Sequence, residues 1–252
     1  MHNKTDWAGS GDWSRISRRG LLKGTFGAGA LGLAVGGLAS FPGITYAAAL
    51  TKEERDRMTP DQVLELLMKG NKRFREGKML QHDYLAQKRA SAAGQYPAAA
   101  ILSCMDSRTP AEIILDAGLG ETFNARIAGN ICTDDIVGSL EFGCALAGAK
   151  LILVMGHTAC GAIRGAIDNV ELGHLTGLLE VIKPAVESTR YDGERSGKNA
   201  GFVDAVAATN ARLAVDEIRR KSRLLADLEK EGKIKIVGSM YHLTGGRIEL
   251  VT

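Results

Sequence analysis

The chain has 252 residues, 45% of them hydrophobic and 24% charged, and a formal net charge of +3. These are the proportions of an ordinary globular protein with a substantial core, organised as one large domain or two small ones. The charge is too small, and the basic residues too little interleaved with aromatics, for a nucleic-acid partner.

The N-terminal segment reads as an address. Lys4, Arg15, Arg18, Arg19 and Lys23 make a charged start, a Gly/Ala/Leu-rich run follows to Ser40, and Thr45-Tyr46-Ala47 offers a small-residue cleavage site. That order of charged, apolar and small residues is the pattern of a removable signal. Ser17-Arg18-Arg19-Gly20-Leu21-Leu22-Lys23 resembles the twin-arginine export motif. The resemblance implies a signal peptide over 1–47, passage of the folded chain through that export machinery, and a periplasmic or otherwise exported location. The alternative is an N-terminal membrane anchor. The run is glycine-rich and short for a span, so no stable membrane insertion is expected after processing.

Thr59-Pro60-Asp61 predicts the start of a helix, with Thr59 fit to cap it and Pro60 suited to its first position. Val63, Leu64, Leu67, Met68 and Phe74 carry helical spacing towards Gly77. The polar, Ala-rich stretch 78–94 is helix or loop, and together these segments form a helical arm over about 59–94. Strands are then predicted at 98–103, 121–127, 150–155 and 233–240, and helices at 109–116, 134–147, 160–167, 175–188 and 202–231. Pro184 is a kink or break in the fourth of these helices, and 187–200 is an exposed loop. The Arg219, Arg220, Lys221, Arg223 cluster is a solvated face. A turn at Thr244-Gly245-Gly246 leads to a fifth strand over 246–251. Strands separated by helices imply an α/β fold: a mainly parallel four-stranded sheet with helices on both faces. The last turn is too tight for a parallel crossover, which makes the fifth strand an antiparallel edge.

Two short motifs carry the chemistry. Cys104-Met-Asp106-Ser-Arg108 follows the first strand, and His157-Thr-Ala-Cys160 follows the third. Two thiolates and an imidazole are zinc donors, and three protein ligands leave one tetrahedral position for water. In such folds ligands bind beyond the carboxyl ends of the strands, where strand order reverses. Asp106 and Arg108 sit beside the first ligand, where an Arg-paired carboxylate stays ionised and can orient water. Gly161-Ala162-Ile163 opens a helix at Cys160, which favours the thiolate. Cys132 and Cys144 fall in or beside a helix and read as small buried residues.

Beyond these motifs, Arg126-Ile-Ala-Gly-Asn130, Gly156-His157-Thr-Ala-Cys160-Gly161-Ala162 and Gly238-Ser-Met-Tyr241-His-Leu-Thr-Gly245 complete a pattern that resembles the β-class carbonic anhydrases over about 97–250. Ile127 stands where the family pattern has Asn. The resemblance implies a catalytic domain over 48–252 with one zinc per chain on Cys104, His157 and Cys160, and Asp106 with Arg108 as the catalytic dyad. Gln95, Phe123, Phe142 and Gly129 are the implied substrate pocket, with Phe142 where plant-like members carry Tyr. Ile101 replaces the Trp of a noncatalytic bicarbonate pocket, so that form of regulation is not expected. The family also implies a homodimer or larger homo-oligomer with the pocket shared across the interface. The expected reaction is reversible hydration of carbon dioxide to bicarbonate and a proton. Two alternatives stay open: hydrolysis of carbon disulfide or carbonyl sulfide on the same scaffold, and a noncatalytic zinc or bicarbonate-binding protein in which Asp106 closes the coordination sphere. Whether His82, His174 or His242 relays the departing proton is also open.

Overall fold

The computed structural model describes residues 45–46 and 50–251. The leader expected over 1–47 lies outside these residues except for Thr45–Tyr46. Those two form β1, which pairs in parallel with β2 (Gln81–His82) in a small separate ladder. Two helices, α1 (Lys52–Arg57) and α2 (Pro60–Arg75), follow β1. At each N-terminus a threonine, Thr51 or Thr59, closes a capping box with Glu54 or Gln62, so two of the orphan amides are satisfied reciprocally. The stretch left open between helix and loop contains β2 and α3 (Tyr84–Ser91), capped by Asp83.

The main sheet has five strands in the order β4-β3-β5-β6-β7. They are β3 (Ala99–Ser103), β4 (Thr122–Arg126), β5 (Leu151–His157), β6 (Lys235–Tyr241) and β7 (Ile248–Leu250). All neighbours are parallel except β6 and β7, which pair antiparallel as expected. Every residue of β3 and β5 is buried, as parallel strands covered on both faces must be. Ala100, Leu102, Ile152 and Val154 point to one face, where Val137 and Leu140 of α5 (Asp134–Glu141) and Ala211, Val215 and Ile218 of α9 (Ala200–Lys221) cover them. Ala99, Ile101, Leu151, Leu153 and Met155 point to the other, under Val63 and Leu67 of α2 and Ile114 of α4 (Ala111–Ile114). The remaining helices are α6 (Gly161–Ile167), α7 (Gly173–Glu180), α8 (Lys183–Ser188) and α10 (Arg223–Lys230). Among the described residues no helix is long and apolar enough to cross a membrane.

One helical expectation changes, and the break expected at Pro184 is found. The helix read over 202–231 is two helices, because Ser222 leaves helical geometry at φ −116° and ψ 99°. Its hydroxyl accepts from the Leu225 amide and donates to Glu141 of α5, so the break is capped and tied to a neighbour. The helix read over 175–188 divides into α7 and α8 just before Pro184. The 134–147 helix runs as read, with its last turn, Phe142–Leu146, widened to π geometry. The basic cluster is a solvated face whose charges are all paired: Arg219 with Glu229, Arg220 with Glu217, Lys221 with Asp134 and Arg223 with Asp227.

Two buried polar residues fasten the N-terminal helices to the sheet. Asn71 of α2 donates to the Ile114 and Gly246 carbonyls at 3.2 and 2.8 Å and accepts from the Ile248 amide at 3.0 Å. Asp116, fully buried, accepts from Arg73, His82 and the Leu80 amide. Removing Asn71 strands three buried backbone groups at about 1 kcal/mol or more apiece. Asn71→Ala is therefore expected to lower the unfolding free energy by roughly 2–4 kcal/mol, read as a shifted urea midpoint at unchanged m-value.

Candidate metal centre

The strand order reverses between β3 and β5. The chain leaves β3 for β4 on one side, then returns to place β5 on the other. Ser103 of β3 lies opposite Met155 of β5, so Cys104 leaves the sheet next to His157. Cys160 is the N-cap residue of α6 and comes back towards both. The Cys104 and Cys160 sulfurs are 3.9 Å apart, and the ligand atoms of Cys104, His157 and Cys160 all lie within 4.8 Å of one another. The three residues are buried.

His157 shows what the cluster is built to hold. Its Nδ1 donates to the Thr158 carbonyl at 2.9 Å, which leaves Nε2 as a lone-pair donor. That Nε2 is buried with no hydrogen-bond partner, an arrangement that costs stability unless a cation takes the lone pair. Two sulfurs and one nitrogen are a zinc donor set, so residues and geometry both fit the metal.

The protonation of the cluster points the same way. A hydrogen bond from the Cys160 thiol stabilises the Cys104 thiolate and pushes its pKa down, against the effect of burial. The facing Cys104 sulfur, then burial, push Cys160 up. The pair thus gives up its first proton readily and resists losing the second, a resistance that a divalent cation between the sulfurs removes. Burial disfavours charge on His157, but the nearby Cys104 sulfur, the Thr158 carbonyl and Asp106 together raise its pKa. By contrast, burial alone lifts Cys144 to about 12, and burial is the chief reason that Cys132 rises to about 11. Both are free thiols with no part in the cluster.

Asp106 stands beside the three residues of the cluster. Arg108 grips it with two side-chain bonds, Nε to Oδ1 at 2.9 Å and Nη2 to Oδ2 at 2.7 Å, and adds its backbone amide at 2.9 Å. The Arg108 bonds hold the Asp106 carboxyl well below the usual carboxylate range. The nearer Asp106 oxygen is 3.9 Å from His157 Nε2.

Residues outside the two motifs set the loop geometry. Arg126, at the end of β4, donates to the carbonyls of Cys104 and Asp106, and Thr109 donates to the same two carbonyls. The Gly129 amide donates to the Cys104 sulfur at 3.4 Å, and its carbonyl accepts from buried Asn210 of α9 at 2.7 Å. Both polar groups of Gly129 are therefore committed to holding the ligand. The position needs glycine: φ is +69°, and a Cβ would sit 2.6 Å from Ile182. Arg126 and Gly129 lie in a segment the sequence singles out, whereas Asn210 carries no sequence signal beyond being polar on a buried helical face.

The other expected pocket residues are not gathered here. Phe123 lies three residues before the end of β4, about 10 Å back along the strand. Its ring meets Phe142 edge-on at 5.9 Å, on the outer side of the sheet. Gln95 lines a different surface groove with Ser91 and Leu119. His82 is bonded to Asp116, His242 to Glu249, and His174 lies exposed at the start of α7.

A parallel α/β sheet with a buried Cys–His–Cys set at its switch point, flanked by an Arg-held carboxylate, defines a zinc enzyme of the β-carbonic anhydrase class. A family model described as carbonic anhydrase matches residues 99–248. The carbonic anhydrase of Mycolicibacterium smegmatis is 33% identical over 193 residues, covering 76% of this chain and 93% of that protein. The β-carbonic anhydrase CafA of Aspergillus fumigatus superposes with a TM-score of 0.57 at 25% identity, over 64% of this chain and 78% of that one. A tetrameric β-carbonic anhydrase of Sordaria macrospora shares the fold, with a TM-score of 0.56 at 24% identity over 63% and 82% of the two chains. The chain belongs to the carbonic anhydrase family.

Cys160→Ser exchanges a soft thiolate for a hydroxyl that zinc binds poorly. Purified parent protein is expected to hold zinc one-to-one in elemental analysis, and the variant to emerge from the same preparation without it.

Proposed function

We propose that this carbonic anhydrase hydrates carbon dioxide at the Cys104–His157–Cys160 centre, with Asp106 orienting the attacking water and Arg108 holding Asp106. The observation that carries the assignment is the doubly bonded Asp106–Arg108 pair set beside the three ligands. Zinc bound at the centre supplies Lewis acidity that brings ionisation of a water into the neutral range.

The protein's share follows from its charges. Asp106 is ionised at any working pH, so it can only accept a hydrogen bond. Accepting from the single remaining O–H of the nucleophile turns a lone pair towards the substrate carbon. Arg108 bonds both Asp106 oxygens and draws the carboxylate towards the rim, while each oxygen keeps a lone pair with which to accept from the nucleophile. That favours a working site over the closed, noncatalytic alternative. The product is bicarbonate, and the proton released goes to solvent or buffer.

The substrate pocket requires a second copy of the chain. Phe123, Phe142 and Ile136 line an open groove of about 380 Å³ beside β4, whose outer edge is unpaired among the described residues. Phe142 is half exposed. An apolar groove along a free sheet edge is an association surface. Phe123 lies about 10 Å back along β4 from the strand end that faces the centre, and association would let it and Phe142 serve the centre of a partner. The assembly is a homodimer or a larger homo-oligomer.

Two measurements test these readings. Asp106→Ala is expected to keep its zinc while losing turnover by roughly 100-fold or more, in stopped-flow hydration assays run alongside carbon disulfide and carbonyl sulfide. Negligible carbon dioxide turnover by the parent, with hydrolysis of either sulfur gas, would transfer the site to that substrate class. Phe142→Glu places a charge in the apolar groove; sedimentation should show monomer where the parent forms dimer or larger, with hydration lost at full zinc content.

A further inference from the structure

The loop between two of the metal ligands, Thr158-Ala159, is held from opposite sides. On the β6 side, the Thr158 amide donates to the Tyr241 carbonyl and the Thr158 hydroxyl accepts from the Leu243 amide, each at 3.0 Å. Ala159 is held from α9, where its amide donates to Asp204 Oδ1 at 2.8 Å. Ala159 has φ +54°, the left-handed region that an L side chain adopts at a cost and glycine adopts freely. This reversal turns the chain out of β5 and into α6, bringing the Cys160 sulfur back within 3.9 Å of Cys104.

Asp204 reaches the loop because α9 lies unusually close to the end of β5. A Cβ on Gly156 would meet the Ala207 carbonyl at 3.4 Å and the Ala211 side chain at 3.5 Å. Asp204 lies three residues, a little under one turn, before Ala207, and its carboxylate reaches the loop. The Asp204 oxygen is a well-placed acceptor, and no other side chain bonds the Ala159 amide.

We propose that Asp204 is a positioning residue for the metal centre: its carboxylate oxygen holds Ala159 in the left-handed conformation and so sets the spacing of His157 and Cys160. The proposal rests on the zinc reading of the triad. Asp204 touches neither metal nor substrate. It acts through one backbone bond and lies outside both ligand motifs.

The test is zinc affinity of the full chain, measured by competition with a chromophoric chelator, with circular dichroism and thermal unfolding of the metal-free proteins recorded in parallel. Asp204→Ala is expected to weaken zinc binding by about 10-fold or more while the metal-free fold is unchanged. Asp204→Asn keeps an oxygen acceptor without the charge and should bind close to the parent. Ala159→Gly, which needs no help to adopt positive φ, should restore most of the affinity in the Asp204→Ala background. Parent-like affinity in Asp204→Ala overturns the proposal. So does a loss that Asp204→Asn shares, which would make the effect one of charge, or one that Ala159→Gly does not relieve. Failure of the parent itself to bind zinc overturns the metal reading instead, so the two failures are distinct.

Discussion

The pairing of β3 with β5 is the constraint on which the centre depends. Ser103 sits opposite Met155, and the next residues out of the sheet bring Cys104 beside the end of β5. A slip of one residue would turn every side chain of one strand to the opposite face. It would exchange Ile101 for Leu102 between two separately packed cores and aim Cys104 away from His157. The hydrophobic alternation of these two buried strands therefore fixes the register, and the register fixes the ligands. The same reversal of strand order that opens a crevice at the sheet's carboxyl end supplies the space for the reaction.

Around that pairing the protein uses backbone bonds more than side-chain contacts to shape the ligand loops. Arg126 and Thr109 hold the carbonyls of Cys104 and Asp106, Asn210 holds Gly129 against the Cys104 sulfur, and Asp204 holds Ala159 between His157 and Cys160. Asn210 and Asp204 both come from α9, which packs on β5 at Gly156. The helix is thus at once a cover for the apolar face and a fixture for the centre. Coupling the two roles lets the core's rigidity reach the metal ligands, which loops alone would not supply.

Electrostatics divides the site into two unlike halves. The buried half carries sulfur and imidazole groups whose protons a divalent cation displaces. The rim carries Asp106, kept ionised by an exposed guanidinium. A separate apolar groove lies beside β4, around Phe123 and Phe142.

By sequence alone, the fold class, the β3, β5 and β6 strands, the capped α2 helix and the three metal ligands with Asp106 and Arg108 were all legible. Each is written locally, as a buried apolar run, a capping box or donor residues at a strand end. What tertiary structure decided is non-local. The break at Ser222 depends on Glu141 of another helix, and helical periodicity reads straight through it. Asn71, Asn210 and Asp204 look like ordinary polar residues until the fold sets particular backbone groups against them. Gln95, Phe123 and Phe142 could be named by family pattern, yet the separate grooves they line appeared only in the fold. A motif specifies which atoms bind or react, but their spacing depends on packing between segments far apart in the chain.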